Sequence, residues 1–162
     1  FNEKEMKIME AAKKTASLKH KTIEKFEKQR IKAIQTLSGL KYFISEKGNG
    51  EKVSKTKIAK VNYTVYFEDG ALLDTSVLNI AEAYGLVDPN RLASGAYQPI
   101  TADVKKDAPM IEGFKEGLRL LKVGDKATLF LPYKLAYGED GNRMIPSRSN
   151  LIFEIEVVSI VK

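Results

Sequence analysis

Apolar residues recur every three or four positions in two stretches of the chain and alternate with polar ones in several others. From Asn2 to about Leu37 neither proline nor glycine occurs, and alanine, lysine, glutamate and glutamine dominate. Met9, Ala12, Ala16, Ile23, Phe26, Ala33 and Leu37 keep the helical spacing there. The pattern predicts one long helix with a thin apolar stripe, interrupted at Lys19 and Arg30. A second, short helix is predicted where Ile111, Phe114, Leu118 and Leu121 share a face while Glu112, Lys115, Glu116 and Arg119 point elsewhere. The run Lys122-Val123-Gly124-Asp125 supplies its stop.

Strand patterns surround that short helix. Lys57 to Phe67 is the longest, with Val61, Tyr63, Val65 and Phe67 on one face. Glu68-Asp69-Gly70 then reads as a hairpin turn, and Leu72 to Ser76 as the returning strand. After a break at Ser38-Gly39, Leu40 to Ile44 reads as a short strand, followed by a flexible turn at Gly48-Asn49-Gly50. Ala127, Leu129 and Leu131 alternate until Pro132, which cannot donate to a sheet ladder. Leu151 to Val161 closes the chain, with Leu151, Phe153, Ile155 and Val157 on one face and Ile152, Val158 and Ile160 partly on the other. Both faces are therefore expected to be covered near its ends. Residues 77–99 are less regular. A helical turn at Ile80 to Tyr84 is closed by Gly85, and loop signals follow at Asp88-Pro89-Asn90 and Ser94-Gly95. A long irregular segment of this kind is expected to rim a pocket. Gly138 to Asn150 is a loop rich in turn formers. The economical assembly is an α+β fold, an antiparallel sheet of about five or six strands wrapping the short helix, with the long helix in front. Residues 1–38 are then a helical extension and residues 39–162 the domain.

Composition narrows the chemistry. Cysteine is absent, so no disulfide or thiolate metal site can form, and the single histidine, His20, reads as a solvated side chain in a lysine-rich helix. No metal and no cofactor is expected. No run of about 18 apolar residues exists that could span a membrane. The chain begins at Phe1 without methionine, which reads as a trimmed start. Of the net charge of +6, residues 1–38 carry ten Lys/Arg against five Asp/Glu, leaving 17 against 16 for the remainder. The basic helix has three readings: docking on its own or an upstream domain, pairing as a homodimer arm, or a basic face for nucleic acid or anionic membrane. The last is disfavoured, because Glu is mixed with the Lys and Arg, and aromatics suited to base stacking are missing apart from Phe26.

The fragments Ile111-Glu112-Gly113-Phe114, Glu116-Gly117, Val123-Gly124, Leu135-Ala136-Tyr137-Gly138, Ile145-Pro146 and Leu151-Ile152-Phe153-Glu154 occur in one order. So does the run from Val61 through Thr64 to Asp69-Gly70 and Asp74-Thr75-Ser76. Together they resemble the FK506-binding protein (FKBP) family of peptidyl-prolyl cis-trans isomerases over roughly residues 39–162. The resemblance implies a twisted antiparallel sheet around a short helix, with a pocket between them for the proline of an Xaa-Pro bond. Proline-containing polypeptide clients and FK506-type macrolides are the implied ligands. Carried over position by position, the pocket falls on Tyr63, Asp74, Met110, Ile111, Phe114, Tyr137, Ile145 and Phe153. Phe114 is the implied floor, Tyr63 and Phe153 the walls. The Ile111 amide and the Tyr137 hydroxyl would hold substrate carbonyls, while Asp74, bonded to Tyr63, would polarise the reacting amide. Taken one at a time, Tyr63, Phe114 and Phe153 would more often be core than site, and Asp74 as readily a turn or capping carboxylate.

Departures from the family pattern bear on strength. Leu73 and Ile100 stand where many relatives carry aromatics, Phe114 where tryptophan is commonest, and Pro146-Ser147 where Pro-Pro is usual. Each keeps the pocket apolar while making it less rigid and less π-rich. A weaker isomerase with reduced macrolide affinity is the expectation, and a non-catalytic peptide-binding or chaperone module is the alternative. Members with this loop style are often exported, which points to a bacterial cell envelope or periplasm, with the cytoplasm as alternative.

Overall fold

A computed structural model describes residues 2–162; Phe1, at which the trimmed start was read, lies outside them. Helix α1 runs from Glu3 to Lys32. A capping box opens it, in which the Glu5 amide donates to Asn2 Oδ1 (2.8 Å) and the Asn2 amide donates to the Glu5 carboxylate (3.1 Å). The helix stops short of the expected Leu37, because Ile34–Gln35 leaves it as a two-residue strand, β1, on the edge of the sheet. Strand pairing overrides helix propensity here, and no proline or glycine announces it. After β1 come β2 (Lys41–Glu46), α2 (Val53–Thr56), β3 (Ile58–Phe67), β4 (Leu72–Thr75), α3 (Leu78–Ala83), α4 (Pro89–Ala93), β5 (Ile100–Asp103), α5 (Glu112–Arg119), β6 (Lys126–Leu131) and β7 (Leu151–Ile160).

The seven strands form one antiparallel sheet in the order β1-β2-β6-β7-β3-β4, with β5 pairing the opposite end of β3. That is more than the expected five or six, since β1 and β5 are too short to show an alternation. Val61, Val65, Ala127, Leu129, Leu131, Phe153, Ile155 and Val157 point to the inner face, where Phe114 and Leu118 of α5, and Leu121 just beyond it, meet them in the main core. Gly113 and Gly117 lie one turn apart on the side of α5 toward β6. A methyl group on either would run into Leu131 or Leu129, so their smallness lets the helix backbone approach the sheet closely.

The outer face is covered by the second half of α1. Phe26 is buried edge-on against Tyr66 (5.2 Å between centroids) and Phe130 (6.3 Å), with Ile152, Leu72 and Tyr84 completing the cluster. Thr22 and Tyr84 share a hydrogen bond of 2.9 Å, and Lys25 pairs with Glu154 at 2.7 Å. The docked stripe is Leu18, Thr22, Phe26 and Ala33. Met9, Ala12, Ala16 and Leu37, expected on the same face, are exposed. Only one end of β7 is covered on both faces. Ile152 is buried under α1, whereas Val158 is exposed at a register shift against β3, and Ile160 returns to the inner side.

The Gly48-Asn49-Gly50 turn, expected to be flexible, is tied down. The Gly48 amide donates to buried Asp125 (2.7 Å), and the Gly50 amide donates to the Val123 carbonyl (3.0 Å). A Cβ at Gly48 would strike the backbone of Val123 and Gly124, so glycine serves close approach there rather than mobility.

Candidate functional site

A cavity of about 640 Å³ opens between the N-terminal end of α5 and the inner face of the sheet. All ten residues singled out from the sequence line it. Strand β3 contributes Tyr63, β4 Leu73 and Asp74, β5 Ile100 and β7 Phe153. Met110 and Ile111 come from the entry to α5, and Phe114 from its first turn. Tyr137 follows a short 3-10 turn (Tyr133–Leu135), and Ile145 comes from the 138–150 loop. Phe114 and Phe153 meet at 5.3 Å with their planes tilted by 48°, forming the deep end. Val65, Leu151, Pro109, Asn142 and Met144 also line the cavity and were not anticipated. The first two could have been, since Val65 stands two residues beyond Tyr63 and Leu151 two before Phe153, which puts each pair on one face of its strand. Asn142 and Met144 sit in a loop with no periodicity to read.

One edge of this apolar hole is polar. The Tyr63 hydroxyl donates to Asp74 Oδ2 at 2.6 Å, and Asp74 Oδ1 accepts from the Thr75 amide (2.8 Å) and from Arg91 Nη1 (2.8 Å). Burial, and then the bond to the Asp74 carboxylate and its charge, push the Tyr63 phenol well above the usual tyrosine range, with Arg91 opposing. Tyr63 is therefore a protonated donor at any physiological pH. Its bond to Asp74 is short for a hydroxyl and a carboxylate, as charge-assisted bonds are.

Arg91 was not legible as a site residue. It stands 17 positions beyond Asp74, in a stretch expected to be loop that forms α4 instead. Asp88 caps this helix by accepting from the Asn90 and Arg91 amides, and Pro89 occupies its first position. A second bond runs from Arg91 Nη2 to the Thr75 carbonyl (2.9 Å), and the guanidinium lies over the Tyr97 ring at 4.6 Å. Tyr97 in turn accepts from the Asp88 amide at 2.9 Å. The irregular 77–99 segment thus reaches the site through one cation on its carboxylate. The Asp-Pro dipeptide was the available signal, read as a turn when it is a helix start.

Two further groups at the cavity are without partners among the described residues. Tyr137 is 42% exposed at the cavity mouth, and its hydroxyl bonds to nothing among the described residues. The Ile111 amide, at the N-cap of α5, likewise donates to no group among the described residues. The loop carrying Ile145 is braced by Asn142, whose side chain accepts from the Met144 and Ile145 amides (2.9 Å each), and by an Arg148–Glu139 ion pair at 2.8 Å. Ile145 is buried as a result. The site is an apolar hole rimmed by a neutral phenol, a carboxylate that accepts from three donors, and an open hydroxyl and amide. It can grip a ring and hold carbonyl oxygens.

A sequence profile of FKBP-type peptidyl-prolyl cis-trans isomerases matches residues 49–158. The chain belongs to this family. Among its FKBP relatives, the FKBP-type peptidyl-prolyl cis-trans isomerase FkpA of Aeromonas hydrophila is 36% identical over 127 residues, which are 78% of this chain and 40% of that protein. The FKBP-type 22 kDa isomerase of Escherichia coli is 32% identical over 127 residues, 78% of this chain and 52% of the relative. The chain spans about half the length of the curated relatives it matches. The crystal structure of FkpA from Escherichia coli superposes with a TM-score of 0.63 at 28% identity, covering 94% of this chain and 63% of the other. An isomerase from Pseudomonas syringae has the same fold at 20% identity, with a TM-score of 0.63. The FKBP fold expected from the sequence is therefore present, with its long N-terminal helix.

Proposed function

We propose that this protein catalyses rotation about Xaa-Pro peptide bonds of polypeptide clients. The observation that carries the reading is the Tyr63–Asp74 pair at 2.6 Å, in an apolar cavity floored by Phe114 and lined also by Ile111, whose amide is open. Rotation has a barrier of about 18–20 kcal/mol because twisting sacrifices amide resonance. The planar imide is charge-separated, and an apolar hole that strips its water destabilises it relative to the twisted state, in which that charge separation is lost. The Ile111 amide and the Tyr137 hydroxyl hold the flanking carbonyls so that only the prolyl bond turns. Asp74, oriented by Tyr63, Thr75 and Arg91, faces the reacting amide. A rate gain of about 10⁵ corresponds to roughly 7 kcal/mol, within reach of desolvation and a few oriented contacts without any cofactor.

Exchange NMR on a short Xaa-Pro peptide tests this. Asp74→Ala and Tyr137→Phe each lower the catalysed rate about tenfold, and Arg91→Met lowers it about threefold. Equal rates in the wild type and all three variants would remove the assignment. In a proline-limited refolding assay the protein speeds the slow phase, whereas a binding-only module would leave it unchanged or slow it.

Leu73, Ile100 and Phe114 keep the cavity apolar but less π-rich. We infer that FK506-type macrolides bind less tightly here than to members with aromatics at the first two places and tryptophan at the third, and an affinity equal to theirs would contradict this. Residues 39–162 are the proposed catalytic unit. Met6, Ile8 and Met9 stay exposed on the undocked half of α1, which supports that half as the attachment point of a second copy or a preceding domain. Sedimentation at rising concentration separates the two. We infer a cell-envelope or periplasmic setting, with the cytoplasm as alternative; the relatives are bacterial, which fits both. No helix among the described residues is long and apolar enough to cross a membrane.

A further inference from the structure

Lys115 was expected to point away from the apolar face of the helix, yet it is 1% exposed, the largest fully buried side chain among the described residues. A buried ammonium without partners is costly by several kcal/mol, so such a group persists only where its three N–H bonds are used. Here they are. Nζ donates to the Lys106 carbonyl (2.8 Å) and to the Ala108 carbonyl (2.9 Å), and lies 3.0 Å from the Glu112 carboxylate. One turn further along the same face of α5, Arg119 Nη1 donates to the Val104 carbonyl at 2.7 Å.

The three carbonyls follow one another along residues 104–108, a segment with little regular structure of its own that leads straight into Pro109, Met110 and Ile111. Its far end is tied to the sheet by the Val104 amide, which donates to the Lys57 carbonyl at 2.9 Å. Its near end is tied through Ala108, whose carbonyl accepts both the Lys115 ammonium and the Met110 amide (2.8 Å). A leucine or methionine at position 115 would fill the same volume. Only a long cation both fills it and gathers these carbonyls.

We propose that Lys115, aided by Arg119, is a positioning residue for the isomerase site: it clamps residues 104–108 to α5 and so fixes the Met110 wall and the direction of the Ile111 amide. The proposal rests on the isomerase reading above. With the clamp gone the segment drifts, and the amide no longer meets the substrate carbonyl. That contact is made in the bound substrate and in the transition state alike, so its loss raises KM and leaves kcat nearly unchanged.

The test uses the full chain with Lys115→Met and Arg119→Met. KM and kcat are measured on an Xaa-Pro peptide across a concentration series, and hydrogen exchange is measured at the Met110 amide, which is bonded to the clamped Ala108 carbonyl. Lys115→Met is expected to raise KM about tenfold with kcat within about twofold, and to speed Met110 exchange about tenfold relative to global unfolding. Arg119→Met shifts both in the same direction by about threefold. Folded variants with wild-type KM and wild-type Met110 exchange, whatever their melting temperature, would overturn the proposal and leave Lys115 a packing residue. If Lys115→Met does not fold, Arg119→Met decides alone on the same two readouts. A wild type without turnover would end the isomerase reading, and Met110 exchange would still decide the clamp.

Discussion

Phe114→Ala lowers the free energy of unfolding by about 3–5 kcal/mol and removes measurable isomerase turnover. Both effects come from one ring. Phe114 is buried on the inner face of α5, and it belongs at once to the main core, with Leu118 and Val65, and to the cavity floor, against Phe153. Truncation leaves a void that the closely seated helix cannot close, because Gly113 and Gly117 already bring its backbone against Leu131 and Leu129. The void also opens into the cavity, so a prolyl ring loses its floor and water enters beneath it. Denaturant unfolding gives the first quantity and exchange NMR on an Xaa-Pro peptide gives the second. A variant that loses the stability but keeps wild-type turnover would show that the ring supports the fold without touching the substrate.

Phe26→Ala is the contrasting case, with a comparable loss that spares the pocket. Phe26 is the buried anchor of α1 on the outer face, held between Tyr66 and Phe130. Its removal costs about 3–5 kcal/mol of docking. The remaining contacts are the part-buried Leu18 and Ala33, the Arg30 guanidinium over the Phe130 ring, a Thr22–Tyr84 hydrogen bond and part-exposed ion pairs such as Lys25–Glu154 and Lys19–Asp69. Partly solvated pairs of this kind contribute about 0–1 kcal/mol each, too little to hold the helix. The second half of α1 therefore becomes a substrate for limited proteolysis between Leu18 and Lys32, while peptide isomerisation by the folded remainder stays at the wild-type rate. Should activity fall in step with helix release, α1 would be part of the catalytic unit, and the division at residue 38 would be wrong.

The candidate site residues were legible through the resemblance to the family, while strand and helix periodicities gave only the faces they share and would by themselves have made the aromatics core. Tyr63 shares its strand face with inward Val61 and Val65, Phe153 with Leu151 and Ile155, and Phe114 sits in the three-four row of α5. What escaped depends on pairings between distant residues. Arg91 is opposed to Asp74 only because α4 folds back over β4. Lys115 reads as polar surface by charge, and its burial follows from carbonyls in a segment whose path no spacing reveals. Helix α1 ends early because Ile34 and Gln35 find Tyr42 and Lys41 across a ladder, a partner invisible from composition. Glycine misled at Gly48, where it signalled a turn but was needed for contact with the Val123–Gly124 backbone.

The two glycines of α5 set the geometry of the cavity as much as any side chain that lines it. By letting the helix lean onto β6, they leave its opposite flank standing off from β3 and β4, and the wedge left over is the cavity. An alanine at either place would tilt the helix back across that wedge, so the span available to a ligand is decided by two methyl groups that the chain leaves out.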